Sequence, residues 1–173
     1  MALQHWSIDP DHSQIGFHVR RRMTSSVHGR FASWDGFIEL DPDDPARSRV
    51  QIRIDAGSID THDPRRDAHL RSPEFFDVAR HPAISFEATE IERHTLDDYR
   101  VTGDLTIRGI TRRVVLDVSR RELNQPFAVA GTISRKDFGL TWNAVDDKLT
   151  LTAELETMKL PENRQVPAIV AAK

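Results

Sequence analysis

The chain contains no cysteine, which excludes disulfide bridges, thiolate nucleophiles and zinc sites built on cysteine ligands. No run approaches the ~18 apolar residues that a membrane-spanning helix needs. The start, MALQHWSIDP, lacks a basic segment followed by an apolar one, so no signal peptide is visible. We expect a cytoplasmic protein, although a chain trimmed after export would show the same start.

Neither sign of charge is in large excess. Lys plus Arg is 24 and Asp plus Glu is 27, which gives a net charge of −3. A nucleic-acid-binding protein should carry a basic excess, so nucleic acid is not an expected partner. The length of 173 residues suits one domain with a sizeable core. We therefore assign residues 1–173 to a single domain, with a C-terminal tail at about residues 157–173.

Familiar catalytic motifs are missing as well. The sequence has no HExxH, GxSxG, GxGxxG or Walker pattern. His62 and His69 flank a short predicted helix and could approach Asp67, but solvated or capping side chains are the simpler interpretation. His12 and Ser13 are adjacent, and adjacent residues of a strand point to opposite faces, which suits a base and a nucleophile poorly. We predict no catalytic residue, no metal and no cofactor.

Most of the chain alternates apolar and polar residues. The segments VQIRIDA, AISFEA, YRVTGDLTI, VVLDV, FAVAGTI and LTLTAELE show this alternation, as do IGFHV and RFASWDGFIEL. They predict about eight or nine strands with one inward and one wet face, which is typical of antiparallel sheets. RGITRR, residues 108–113, predicts a hairpin through Gly109. The exception is residues 64–71, a predicted helix with Asp63 as N-cap and Pro64 at its first position.

Two architectures are compatible with many antiparallel strands and one short helix, a sandwich and a closed barrel. Small residues at inward positions favour a barrel of about eight strands, which can hold one small ligand, although small residues also relieve strain at bends. These residues are Ala56, Ala88, Gly103, Gly131 and Ala153. The fold class we expect is all-β, an antiparallel lipocalin-like barrel with one short helical insertion.

Residues at the inward-facing positions of the alternating strands would line such a barrel. For each of them, a place in an ordinary filled core is the competing interpretation. They are Phe17, Val19, Ile54, Phe86, Leu105, Ile107, Val129 and Leu151. Phe75 and Phe76 follow the predicted helix. We expect them to seal the sheet as a plug or to gate a cavity.

Arg21 breaks the pattern of the first long strand, because it shares the apolar parity of Phe17 and Val19. Three interpretations are open. A bulge could turn the side chain outward, or the strand could end at the barrel mouth, where the guanidinium reaches water. Alternatively, Arg21 points into the lumen and meets an anion, since a buried arginine without a partner costs several kcal/mol.

Several motifs resemble the YceI-like family of polyisoprenoid-binding proteins. They are WSIDPDHSQIGFHV, SSVHGRF, GFIELD, RRDAHLRSPEFFDVARHPAISFEA, VTGDLTIRGITRRVVLDV and SRKDFGLTW, spread over about residues 6–156. The resemblance implies a lipocalin-like barrel whose apolar lumen holds an isoprenoid chain, a quinone tail or a fatty amide. It implies no cofactor and no established catalytic residue. The family pattern has His where this chain has Arg21, so this member could favour a lipid headed by phosphate or carboxylate.

Three functions follow as hypotheses. The first is a carrier or buffer of a long-chain isoprenoid, quinone or fatty-acid-like lipid, with Phe17, Val19, Arg21, Ile54, Phe75, Phe76, Phe86, Leu105, Ile107, Val129 and Leu151 as ligand-binding residues. The second is a hydrolase or isomerase acting on a lipid-like substrate in the same lumen. The third is a filled barrel without a ligand that serves as a dimerisation or stress-response scaffold, with a homodimer as its expected assembly.

Overall fold

The computed structural model describes residues 3–21, 23, 25–41, 43–122, 124–141 and 145–161. Within them the strands are β1 (Gln4–Ile8), β2 (Gln14–Arg21), β3 (Val27–Phe31), β4 (Trp34–Leu40), β5 (Arg49–Asp55), β6 (Ile59–Asp60), β7 (Ala83–Arg93), β8 (Asp98–Ile107), β9 (Ile110–Ser119), β10 (Phe127–Ser134), β11 (Val145–Leu155) and β12 (Thr157–Lys159). The α-helix is α1 (Pro64–Arg71), and 3₁₀ turns occupy Pro10–His12, Pro45–Arg47, Ala56–Ser58 and Arg135–Phe138.

The strands form one antiparallel sheet that returns to its start. Its order is β12-β1-β4-β5-β7-β8-β9-β10-β11-β2-β3-β6. β12 continues β11 after the single residue Glu156, and β2 continues β1 after the turn at Pro10–His12. The long strand β1–β2 therefore pairs with β11–β12 along one side and with β3–β4 along the other. This pairing closes a ring of eight long strands, so the all-β barrel is confirmed.

The strand count of twelve differs from the predicted eight because three of the long strands bend. The breaks lie at residues 9–13, at Ala32 and Ser33, and at Glu156, and the two-residue β6 adds one more strand. At the first break, Asp9 accepts a hydrogen bond from Asp11 N, and Pro10 fixes the backbone of the turn. The bends divide the strands without changing the order of the ring.

The predicted helix and hairpin are confirmed at their predicted positions. α1 begins at Pro64, and Asp63 Oδ1 accepts hydrogen bonds from the main-chain N–H groups of Arg65 (3.1 Å) and Arg66 (3.2 Å). In the β8–β9 hairpin, Ile107 pairs with Ile110, and Gly109 adopts a φ of +71° that glycine tolerates without strain.

Two of the small inward residues are covered by large side chains and add no open space to the lumen. A Cβ on Gly103 would lie 2.5 Å from Phe86 Cζ, and a Cβ on Gly131 would lie 2.5 Å from Leu116 Cδ2. Each glycine therefore makes room for a side chain of the neighbouring strand. Ala153 does line the lumen, in line with the sequence pattern.

The predicted tail begins with ordered structure, because β12 pairs with β1 through Thr157 and Ile8. Residues 162–173 lie outside the described residues, as does Trp142 of the SRKDFGLTW motif. Among the described residues, no helix is both long and apolar enough to cross a membrane.

Candidate functional site: the barrel lumen

An internal cavity of about 330 Å³ runs through the barrel, and we call it the lumen. This volume falls in the range of about 300–1,000 Å³ that is usual for ligand pockets. Its wall is almost entirely aliphatic and aromatic, because every strand of the ring presents its apolar parity inward. The wall can therefore take a hydrocarbon chain but offers it few hydrogen bonds.

The structure places every apolar residue that we selected from the sequence in the lumen wall. These residues are Phe17, Val19, Ile54, Phe75, Phe76, Phe86, Leu105, Ile107, Val129 and Leu151. Their contact with a ligand stays a prediction.

Arg21 does not line the lumen in the described structure. It is the last residue of β2, is half-buried, and lies opposite Val145 of β11. The register shift in this pair falls on the β11 side, between Val145 and Leu149, so β2 itself has no bulge. Among our three interpretations, this position agrees with the second, a strand ending at the barrel mouth.

The end of the barrel that carries α1, which we call the helix end, is closed by packed side chains. Leu70 of α1 is buried, as are Phe75 and Phe76. The ring centres of Phe75 and Phe76 lie 5.1 Å apart, and those of Phe76 and Phe31 of the barrel wall lie 6.3 Å apart. Both pairs pack edge to face. The double phenylalanine therefore forms the inner surface of a plug.

The opposite end of the lumen is lined by half-buried side chains. Arg120 stacks its guanidinium 4.8 Å from the ring centre of Phe127, and its Nη2 donates a hydrogen bond to Asp97 Oδ1 at 2.9 Å. The ring of Tyr99 lies 6.5 Å from that of Phe127. Sequence reasoning missed Arg120, because it follows the last alternating residue of β9.

Two further arginines reach the lumen at the helix end, and sequence reasoning missed both. Arg66 lies on α1, and Arg135 lies in the 3₁₀ turn after β10. Neither belongs to a strand, so alternation gave no signal for them. Together with Arg120 they are the charged residues of the lumen wall, and no carboxylate belongs to that wall in the described part of the chain.

Carboxylates near the helix end are held by hydrogen bonds outside the lumen wall. The main-chain N–H of Arg66, followed by the charge of Arg66 and more weakly that of Arg21, lowers the pKa of Asp63. A hydrogen bond from the Ser134 hydroxyl, followed by one from Lys136 N, lowers the pKa of Asp147. Both groups are therefore ionised at neutral pH.

The histidines and carboxylates that we considered for catalysis or metal binding have other partners. Asp67 Oδ1 accepts hydrogen bonds from Thr61 N (2.9 Å) and Thr61 Oγ1 (2.6 Å), and His69 Nε2 lies 2.8 Å from Glu74 Oε2. Within the described ranges, no group of three or more His, Asp or Glu side chains could hold a metal. His12 Nδ1 lies 2.7 Å from Asp9 Oδ2, while Ser13 Oγ accepts from Glu156 N.

Sequence comparison places residues 6–157 within the family model described as the YceI-like domain. A UPF0312 protein of Pectobacterium atrosepticum is 36% identical over 138 residues, which cover 75% of this chain and 71% of the relative. A UPF0312 protein of Serratia proteamaculans shows the same identity and coverage.

Solved structures share the barrel. BcnA of Burkholderia cenocepacia superposes with a TM-score of 0.78 at 23% identity, covering 87% of this chain and 99% of that chain. The YCEI protein of Campylobacter jejuni gives 0.72 at 25% identity, covering 83% and 91%. A polyisoprenoid binding domain from Saccharophagus degradans, implicated in plant cell wall breakdown, gives 0.66 at 16% identity, covering 90% and 98%.

Proposed function

Because the chain belongs to the YceI-like domain family, we propose that it binds a long-chain amphiphilic lipid in the lumen and carries or buffers it. The observation that carries this proposal is the continuous apolar wall, to which every long strand of the ring contributes. An isoprenoid is the first candidate, since a protein of the same fold is a polyisoprenoid binding domain.

The energetics favour a long chain over a small polar ligand. Each buried methylene contributes about 0.8 kcal/mol, so ~20 buried carbons contribute ~16 kcal/mol. This exceeds most estimates of the association cost, which run from about 4 to 15 kcal/mol. Apolar walls discriminate weakly between chains that differ by one methylene, so we expect a family of related chains to bind.

The proposal is tested by uptake of geranylgeraniol into delipidated protein and into two phenylalanine variants. Ala153 lines the lumen between Ile15 and Val129, so Ala153→Phe projects a ring into the lumen. Ala128 is exposed on the outer face of β10, so Ala128→Phe adds the same ring outside. We expect Ala153→Phe to lose uptake and Ala128→Phe to retain it.

Mass spectrometry of the bound lipid separates a carrier from an enzyme. A carrier returns geranylgeraniol unchanged after prolonged incubation, whereas an isomerase returns a rearranged alcohol. With geranylgeranyl acetate as the ligand, a carrier returns the intact ester, whereas a hydrolase returns geranylgeraniol and acetate. Equal uptake by both variants would place the lipid outside the lumen and overturn the proposal.

A further inference from the structure

Arg135 is a buried cation in the wall of an apolar lumen. The residue is only 3% exposed. Its Nε, Nη1 and Nη2 donate hydrogen bonds to the main-chain oxygens of Asp146 (2.9 Å), Leu140 (2.6 Å) and Val145 (3.0 Å). A guanidinium has five N–H donors, so two remain. Asp147, which lies outside the lumen wall, feels the charge of Arg135 as one of the weaker causes of its lowered pKa, but its hydrogen bonds come from Ser134 and Lys136. Carbonyl dipoles stabilise this charge but do not neutralise it, whereas buried charges are usually paired.

Arg66 brings a second guanidinium to the same end of the lumen. Its Nε donates to Thr61 Oγ1 and its Nη2 to Thr61 O, both at 2.8 Å, which fixes the plane of the group. Its Nη1 lies 3.8 Å from Asp63 Oδ2. The side chain is 17% exposed, so it faces both the lumen and the surface beside α1. Arg66 is therefore held in place with donors to spare.

Among the described residues of the lumen wall, no carboxylate lies beside the two arginines. Asp63 caps α1 through Arg65 N and Arg66 N, and Asp67 is bound to Thr61. Neither of them belongs to the lumen wall. At the opposite end Arg120 is already paired with Asp97. The two ends of the lumen thus differ. At the opposite end the guanidinium of Arg120 hydrogen-bonds Asp97 at 2.9 Å, whereas the helix end has two guanidiniums in its wall, Arg66 with only a long contact of 3.8 Å to Asp63 and Arg135 held by carbonyl oxygens.

We infer that the helix end of the lumen binds the anionic head group, a carboxylate or a phosphate, of the amphiphile whose chain fills the barrel. This inference rests on the proposed function, and it names the ligand class and its direction. Arg66 contacts the head group through its remaining N–H donors, in the geometry that guanidinium groups make with such anions, and Arg135 adds positive charge at that end. The chain then extends between β5, β7 and β8 toward Tyr99 and Phe127.

A head group bound at the helix end determines how the ligand enters the lumen. An ionised head group cannot cross the apolar length of the lumen without a large desolvation cost. The ligand therefore enters tail first past Phe75 and Phe76, and the head group stops beside α1.

The test compares ligands of equal chain length that differ in the head group. Dodecanoate, dodecyl phosphate and dodecanol are titrated at pH 8 against delipidated full-length protein loaded with Nile red, a neutral fluorescent probe. We expect both anions to bind at least about tenfold more tightly than dodecanol, and this preference to shrink as salt is added.

The matched variants are Arg66→Gln and Arg65→Gln. Arg65 is the exposed neighbour of Arg66 on α1, and its main-chain N–H, not its side chain, contacts Asp63. Arg66→Gln should reduce the preference to less than about threefold while dodecanol still binds, and Arg65→Gln should keep the preference. Arg66→Lys keeps the charge but loses the planar fork, so it should fall between the two. If Arg66→Gln does not fold, the inference is tested by two other results: a reduced preference for anions in Arg66→Lys, and a wild-type preference that shrinks as salt is added.

The outcomes separate this inference from the proposed function. Equal binding of all three ligands by the wild type would overturn the inference and leave lipid binding intact. An unchanged preference in Arg66→Gln would also overturn it. If no ligand displaces Nile red, the proposed function itself fails.

Discussion

Phe17 lies directly opposite Gly29 in the β2–β3 pair, and its ring covers the α-carbon of that glycine. Phe86 covers Gly103 between β7 and β8 as a diagonal neighbour, since Gly103 lies opposite Ala88. In both places an aromatic ring of the lumen wall lies where the side chain of the neighbouring strand would otherwise stand. Each glycine thus provides the space that a ring from the neighbouring strand occupies.

Replacing Gly103 by alanine should therefore destabilise the barrel. The new Cβ would lie 2.5 Å from Phe86 Cζ and 2.6 Å from Glu87 O, and the carbonyl belongs to the paired backbone and cannot move aside. We expect a loss of about 1–3 kcal/mol in the free energy of unfolding, measured by urea denaturation. The control is Gly57→Ala, whose Cβ meets only Asp55 Oδ1 at 3.2 Å and should have a smaller effect. Equal losses in the two variants would argue against the role of the ring.

Asp67 holds the segment that precedes α1, and its removal should be costly. It is 7% exposed, and its Oδ1 accepts two hydrogen bonds from Thr61. Asp67→Ala leaves buried donors without an acceptor, so we expect a loss of about 2–4 kcal/mol in the free energy of unfolding. Asp137→Ala, at an exposed position of the 3₁₀ turn, should change it by less than about 0.5 kcal/mol. Thermal unfolding measures the stability of both variants. If Asp67→Ala loses as little stability as Asp137→Ala, the proposed role of Asp67 is wrong.

The acid side of the stability curve should depend on capping carboxylates. Main-chain N–H groups of Asp44 and Asp43, with the charge of Arg47, lower the pKa of Asp41 below 3.8. A lowered folded-state pKa contributes stability that is present above the ordinary pKa and is lost as the pH falls through the folded value. Asp41→Asn should therefore be less stable than the wild type above about pH 4, and the difference should shrink below pH 4. Urea denaturation between pH 2.5 and pH 7 tests this, and a constant difference would contradict it.

The Phe76 ring should control how fast a ligand leaves. It closes the helix end against Phe31 and Phe75, so Phe76→Leu should leave a gap at the plug. We expect dissociation of bound Nile red to accelerate by about threefold or more, measured by stopped-flow displacement. Phe37→Leu on β4 removes a ring that does not line the lumen, and its rate should stay unchanged. Equal rates in the two variants would show that the ligand leaves by another route.

Local rules predicted the parts of the fold that depend on neighbouring residues. Asp63 and Pro64 set the start of α1, Gly109 set the hairpin, and strand parity placed Phe17 and Leu151 in the wall. Arg66 and Arg135 could not be found in this way, because a helix and a 3₁₀ turn carry no alternation. Their presence in the wall of one lumen depends on ring closure, which brings segments distant in sequence together.

The role of Gly103 was also beyond the sequence pattern. Parity indicates which face a residue occupies, but it does not tell whether the space above a glycine is empty or filled by a ring from the next strand. Arg21 shows the same limit, since its parity is inward although the lumen ends before it is reached.

Native mass spectrometry of the freshly purified protein, followed by organic extraction, tests the central claim most directly. The account predicts an added mass that is extracted as a long-chain amphiphile, present in the wild type and in Ala128→Phe and absent from Ala153→Phe. A wild-type protein that carries no such mass and takes up neither geranylgeraniol nor dodecanoate would contradict the account.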